Sequence, residues 1–403
     1  MRGLTPAVHE VLDRRLLSAS PAPIAVALSG GGDSLALTLI LADWAKGRGR
    51  SLLVLTVDHG LRPESAAWTR FCAATADRLS ADFRALDWEG DKPATGLPAA
   101  ARSARHRLIA DAARRAGAKV VLMGHTASDR LEAAAMRQAG GSTPSPREWT
   151  PSPAWPQGRD VFLLRPMLAQ TRAQIRAWLA EQGETWIEDP GNDDHRFARA
   201  RARATLAGDE TDAVPAAPAL VDAAMATVDL AGGLSTPRAV LRAAPAAFLA
   251  TACLCAAGTS RPPRGERLKR LAQALGGDGA LTATLAGSRI EADGRHVRFL
   301  RDAGRAGLGT LSIAAGDTAV WDGRFEITAE RPVSIQPLAG RAAGLSPPAR
   351  SALKRLPAGA RGGLPHIPGE GSPVLAALPG VLARPLALDR LRAACGLIDR
   401  EPA

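Results

Sequence analysis

The chain has 403 residues, too many for one ordinary hydrophobic core, so two or three domains are expected. Its apolar share of 46% is ordinary for a globular protein, and 51 Lys and Arg against 40 Asp and Glu leave a net charge of +11. The longest uncharged run, Ala243 to Ser260, contains Pro245 and falls short of a membrane span, which excludes an integral helical membrane protein.

The positive charge is nearly all arginine; lysine occurs only at positions 46, 92, 119, 269 and 354. Arginine forks suit phosphate, so a polyanionic partner is expected. Codon bias accounts for arginine over lysine but not for the net excess. The four cysteines, 72, 253, 255 and 395, form no C-x-x-C pair and no zinc spacing. Cys253 and Cys255 lie in an alanine-rich apolar stretch and read as core. Scattered thiols, with no signal-type apolar segment at the start, imply a soluble cytoplasmic protein.

In chain order, Ala7 to Leu17 has helical spacing, and Ile24 to Leu28 is a short apolar run suited to a buried parallel strand. Ser29-Gly30-Gly31-Gly32-Asp33-Ser34 follows, and Ser34 to Trp44 reads as a helix. A glycine turn feeding a helix N-terminus is an anion site, because unpaired N–H groups and the helix dipole both face the ligand. The pattern is neither Walker A nor the G-x-G-x-x-G fingerprint.

Leu52 to Val57 is a second buried strand, ending in Asp58-His59-Gly60-Leu61-Arg62; its tip should border the glycine loop. Glu64 to Leu79 is helical, Asp82 to Leu86 a weaker strand, and Pro98 to Ala116 a helix carrying Arg102, Arg105, His106 and Arg107. Val120 to Met123 is a fourth strand. Beyond it, Asp129 and Glu132 are spaced i, i+3 on one face of a new helix. Gly140 to Gly158, rich in Pro, Ser and Gly, reads as a long loop, then Val161 to Leu164 as a last strand and Gln170 to Gln182 as a helix. The alternation gives a doubly wound, Rossmann-like parallel sheet.

An acidic turn, Trp186 to Asp194, precedes a helical arginine run, Arg196 to Arg203, and Gly208 to Pro218 reads as a linker. Ala219 to Leu275 reads as alanine-rich helix, Leu281 to Leu300 as strands around Asp293-Gly294, and Trp321 to Ile327 as another strand. Three domains are therefore expected: an α/β domain over 1–210, a mostly helical one over 219–305 and a small α+β one over 306–403.

Five stretches together resemble the tRNA(Ile)-lysidine synthetases, members of the N-type ATP pyrophosphatase (PP-loop) superfamily. They are Ser29 to Ser34, Asp58 to Arg62, Ala101-Arg102-Ser103-Ala104-Arg105-His106, Gly124 to Glu132, and Glu188 to Asp193. The resemblance is close over about the first 205 residues. Ser128 stands where that family usually has an aspartate, Arg130 where it has glutamine, His106 where it has tyrosine, Gly191 where it has serine and Ala200 where it has asparagine.

The resemblance implies that ATP adenylates the wobble cytidine of a CAU anticodon in tRNA(Ile), after which the ε-amine of L-lysine displaces AMP. It implies ATP bound by Ser29, Gly30, Gly31, Gly32, Asp33 and Ser34, with Val57 and Asp58 beside the adenosine, and Mg²⁺ on Asp33. Arg102, Arg105 and His125 would act with Asp33 in catalysis, Asp129, Glu132 and Arg203 would bind lysine, and Arg199, Arg201, Arg264 and Lys269 would grip tRNA. A homodimer is admitted, and no membrane partner is implied. Another PP-loop enzyme acting on tRNA and a catalytically inactive RNA-binding paralogue are the alternatives. Thiolating relatives usually carry paired cysteines, absent here, whereas Asp33, Asp129 and Glu132 are all kept.

Overall fold

The computed structural model describes residues 3–140, 143–189, 201–202, 205, 226–229, 231–304, 307–374 and 377–403. The chain forms two compact units, one of residues 1–218 together with 398–403, the other of residues 219–397.

In the first unit, α1 (Leu4–Arg15) leads into β1 (Ile24–Ala27), α2 (Gly32–Lys46), β2 (Leu52–Asp58), α3 (Ser65–Arg78), β3 (Asp82–Asp87) and α4 (Leu97–Arg115). Then come β4 (Val120–Met123), α5 (Ala127–Gln138), β5 (Trp149–Pro151), β6 (Phe162–Leu164) and α6 (Arg172–Glu181). The sheet order is β3-β2-β1-β4-β6-β5, parallel except for β5. Successive side chains of a strand point to opposite faces. Ala25, Leu53, Leu55, Val121 and Met123 pack with Ile109 and Ala113 of α4, while the alternate residues Ile24, Val26, Val54 and Leu122 are buried as well. Both faces are therefore covered, which is why these strands read as unbroken apolar runs.

The stretch read as a long loop contains β5. Trp149 is buried, stacks on Phe162 with ring centroids 5.0 Å apart, and donates from Nε1 to the carbonyl of Ile398 at 2.7 Å. Pro151 is tolerated because β5 is an edge strand. The C-terminal residues return to this unit. The Arg50 and Glu401 side chains, each 1% exposed, pair at 2.8 Å, and Glu401 also accepts from the Leu17 N–H at 2.8 Å.

In the second unit, strands Thr227–Val228, Leu234–Pro237, Leu281–Leu285, Ser288–Ala292 and His296–Arg301 form an antiparallel sheet. It is covered by helices Arg238–Ala243, Ala246–Ala257 and Glu266–Gly276. Two of these strands, Thr227–Val228 and Leu234–Pro237, fall within the stretch read as helical. Phe248, Leu249, Leu271, Ile290 and Phe299 form the core, with Cys253 and Cys255 inside it as expected. Ala387 and Leu391, from the helix Ala387–Ala394, join the same core. Trp321 to Ile327, read as one strand, is a hairpin that turns at Asp322-Gly323, with φ of +50° and +62°. Its Asp-Gly pair is a standard signal for such a turn. Among the described residues no helix is long and apolar enough to cross a membrane.

Candidate active site

β1 lies between β2, its neighbour in sequence, and β4. That is the switch point of the sheet, where ligands of open α/β folds bind beyond the strand ends. Three of its elements meet there: the glycine loop after β1, Asp58 and His59 after β2, and Gly124-His125 after β4.

The glycine loop is built for close approach. Gly30 has φ +84°, and a Cβ on it would lie 2.4 Å from Ile187 Cδ1. The Ile187 N–H donates to Gly30 O at 2.9 Å, so the Trp186–Ile187 segment lies against the loop. A Cβ on Gly124 would lie 2.8 Å from Asp33 O, which makes glycine necessary where the β4 end touches the α2 start. Gly31 is the N-cap of α2, and no side chain caps that helix among the described residues. Its first amides are thus available to an anion.

Ser34, expected at the phosphates, lies at the start of α2. Its hydroxyl donates to Gly31 O at 2.9 Å and accepts from the Ser29 N–H at 3.2 Å, so here it braces the loop from inside. Asp58 likewise turns back on its own corner, accepting from the Gly60 N–H at 2.7 Å. Val57, beside it, is half-buried at the end of β2.

Two groups of opposite charge gather around these strand ends. The basic half gathers Arg102 and Arg105, half-buried on α4, and the buried Arg165, which donates to Arg147 O at 2.8 Å. Burial, with Arg102 and Arg105 nearby, pulls the Arg165 guanidinium down to about 10. Burial first, then Arg105, Arg102, Arg165 and His125, push His106 down to about 2, so it is neutral near pH 7. Burial and then Arg105 also lower His59.

A stability prediction follows from His106. Above pH 6.5, the ordinary histidine value, neither state is protonated there. As pH falls below it, the unfolded chain takes a proton that the folded one refuses, so stability is lost by roughly 1.4 kcal/mol per pH unit. Urea titrations should show the wild type losing about 2 kcal/mol more than His106→Phe between pH 7 and pH 5.

The acidic half holds Asp33, Asp129 and Glu132. Asp129 closes a capping box at the start of α5, its Oδ2 accepting from the Thr126 N–H at 2.8 Å. Glu132 is buried, 2% exposed. Arg172, which the sequence reading did not single out, reaches all three: Nε is 3.2 Å from Asp33 Oδ2, Nη1 3.3 Å from Glu132 Oε1 and Nη2 3.8 Å from Asp129 Oδ1. The Asp33 carboxyl is raised by burial, against which Arg172 works. A signal was there: Thr171-x-x-Gln174 is a capping box, so Arg172 is the first residue of α6. Ser128 Oγ lies 3.5 Å from the Arg172 N–H.

His125 is half-buried at the β4 end. Of the arginine run, Arg201 is described and exposed, while Arg199 and Arg203 lie outside the described residues. In the second unit Arg264 is exposed, and Lys269 is exposed but paired with Glu266 at 2.7 Å.

A parallel sheet whose switch point carries a Ser-Gly-Gly-Gly-Asp-Ser turn into a helix, beside a cluster of arginines, defines an ATP-using PP-loop fold. Residues 5–210 match the family model described as a PP-loop domain. The tRNA(Ile)-lysidine synthase of Caulobacter vibrioides is 47% identical over 98% of this chain and 98% of its own length. Those of Hyphomonas neptunium and Rhizobium meliloti are 35% and 34% identical, covering 75% and 80% of this chain and 87% and 78% of their own lengths. The chain belongs to the tRNA(Ile)-lysidine synthase family.

Proposed function

We propose that this chain performs lysidine formation on tRNA(Ile), as a cytoplasmic enzyme, with the two halves of its site dividing the work. The observation that carries the reading is that two groups of opposite charge gather at these strand ends: Arg105 and Arg102, which act on His59 and His106, and Asp33, Asp129 and Glu132 around Arg172. One half suits polyphosphate, the other a cationic amine.

In the first step the 2-carbonyl oxygen of the wobble cytidine attacks the α-phosphorus of ATP, and the bond to the β-phosphate breaks with pyrophosphate leaving. The amides of Gly30 to Ser34 at the α2 N-terminus hold the phosphates, Val57 and Asp58 border the adenosine, and Arg102 and Arg105 offset charge on the departing group. His125, at the neighbouring strand end, lies beside the adenylate. In the second step the ε-amine of L-lysine attacks C2, the C–O bond to AMP breaks, and the amine gives up a proton. Asp129 and Glu132 hold the amine for that attack, which is mainly positioning. No protein nucleophile is required.

Asp33 fits a magnesium ion. It offers one carboxylate at the phosphate loop, and magnesium is commonly held by one or two carboxylates together with substrate phosphates. Bound there, the ion would offset negative charge on the phosphates. Arg203 is assigned to the lysine carboxylate and Arg199 and Arg201 to tRNA phosphate. Arg264 in the second unit is the better tRNA grip of the two proposed there, because Lys269 already has Glu266 as a partner.

The test is Glu132→Gln. It should leave tRNA-dependent AMP formation within about threefold of wild type and raise the lysine KM by about tenfold or more, the effect of losing one charge-assisted hydrogen bond. Equal loss in both steps would remove Glu132 from the amine site.

A further inference from the structure

The acidic half is organised by a cation that the chain itself supplies. The Arg172 guanidinium sends its three nitrogens to carboxylates on two other helices, Asp33 at the start of α2 and Asp129 and Glu132 on α5. Side-chain exposures are 22% for Arg172, 21% for Asp33, 10% for Asp129 and 2% for Glu132, so water screens the cluster only in part. The Ala127 N–H donates to Gln170 O at 2.8 Å, tying the start of α5 to the segment that precedes α6. Three carboxylates crowded together repel one another. A planar fork with fixed donor directions holds them in one arrangement, which a single-point ammonium does not. Asp33 belongs to the phosphate loop, whereas Glu132 faces Arg172 from the amine side, so one guanidinium spans both reaction steps.

We propose that Arg172 is a positioning residue for both steps, aiming Asp33 at the phosphate loop and setting Asp129 and Glu132 to receive a primary amine. The proposal rests on the division of the site given above. Its test uses full-length wild type, Arg172→Gln and Arg172→Lys. Three readouts are taken: AMP formation on CAU-anticodon tRNA without lysine, the lysine KM and Kd (the latter by calorimetry), and Tm.

Arg172→Gln should slow AMP formation and raise the lysine KM and Kd, each by at least tenfold, with Tm within a few degrees of wild type. Arg172→Lys, which keeps the charge and loses the fork, should recover part of both. Unchanged AMP formation and lysine binding in Arg172→Gln would overturn the proposal. So would equal losses in the two variants that follow a common fall in Tm, the mark of a purely structural residue. Wild-type protein that forms no AMP with tRNA would overturn the underlying reading and the proposal with it.

Discussion

Replacing Asp33 by asparagine is expected to lower tRNA-dependent AMP release by about 10²–10³-fold, with Tm nearly unchanged. Asparagine has the same shape and keeps an oxygen for Arg172 Nε, which now lies 3.2 Å from the carboxylate. What disappears is the negative charge in the first turn of α2, beside the amides of the glycine loop. If that charge holds the metal that accompanies ATP, the adenylation step has no substitute for it among the described residues. Asp129 and Glu132 lie on another helix, and one oxygen of Asp129 is engaged in capping. Initial rates of AMP formation at saturating ATP decide it; a fall of less than tenfold would remove Asp33 from the phosphate step.

Glu401→Ala should have the largest effect on stability, about 3–5 kcal/mol. Arg50 and Glu401 meet through two hydrogen bonds, at 2.8 and 3.2 Å, with both side chains 1% exposed. Arg50 also donates to the carbonyl of Ala22 at 2.9 Å, so its guanidinium is fixed in place. Removing the carboxylate leaves that charge buried without its partner and frees the Leu17 N–H that Glu401 accepts. Breaking a buried pair is costly even where the pair itself adds little net stability. Denaturant or thermal unfolding should place Glu401→Ala well below wild type, while Arg50→Met with Glu401→Leu should recover part of the loss. A single variant within 1 kcal/mol of wild type would contradict the account.

What could be read from the sequence was local. Ile24 to Leu28 followed by three glycines marked a strand, a turn and a helix start, because burial on both faces removes polar residues and the turn demands glycine. Asp129 and Glu132 were legible as a pair from their i, i+3 spacing, although the capping role of Asp129 lay in the preceding Thr126. What was missed depends on distant partners. Trp149 and Pro151 form a strand only because β6 offers an edge, and Trp149 finds its acceptor at Ile398. Glu401 pairs with a residue 351 positions away, a contact with no local pattern. Arg172 was one arginine in an arginine-rich chain; its importance comes from the meeting of α2, α5 and α6, which spacing along the chain does not reveal. The Asp322-Gly323 turn was missed too, read through as one strand, although its signal was local.

The most direct test of the central claim follows AMP release from labelled ATP, with the purified protein, Mg²⁺, L-lysine and a CAU-anticodon tRNA(Ile). AMP release that requires tRNA, with labelled lysine entering the tRNA in equal amount, is the expected result. Failure to form AMP in the complete mixture, or AMP formed without tRNA and with no lysine transferred, would contradict it.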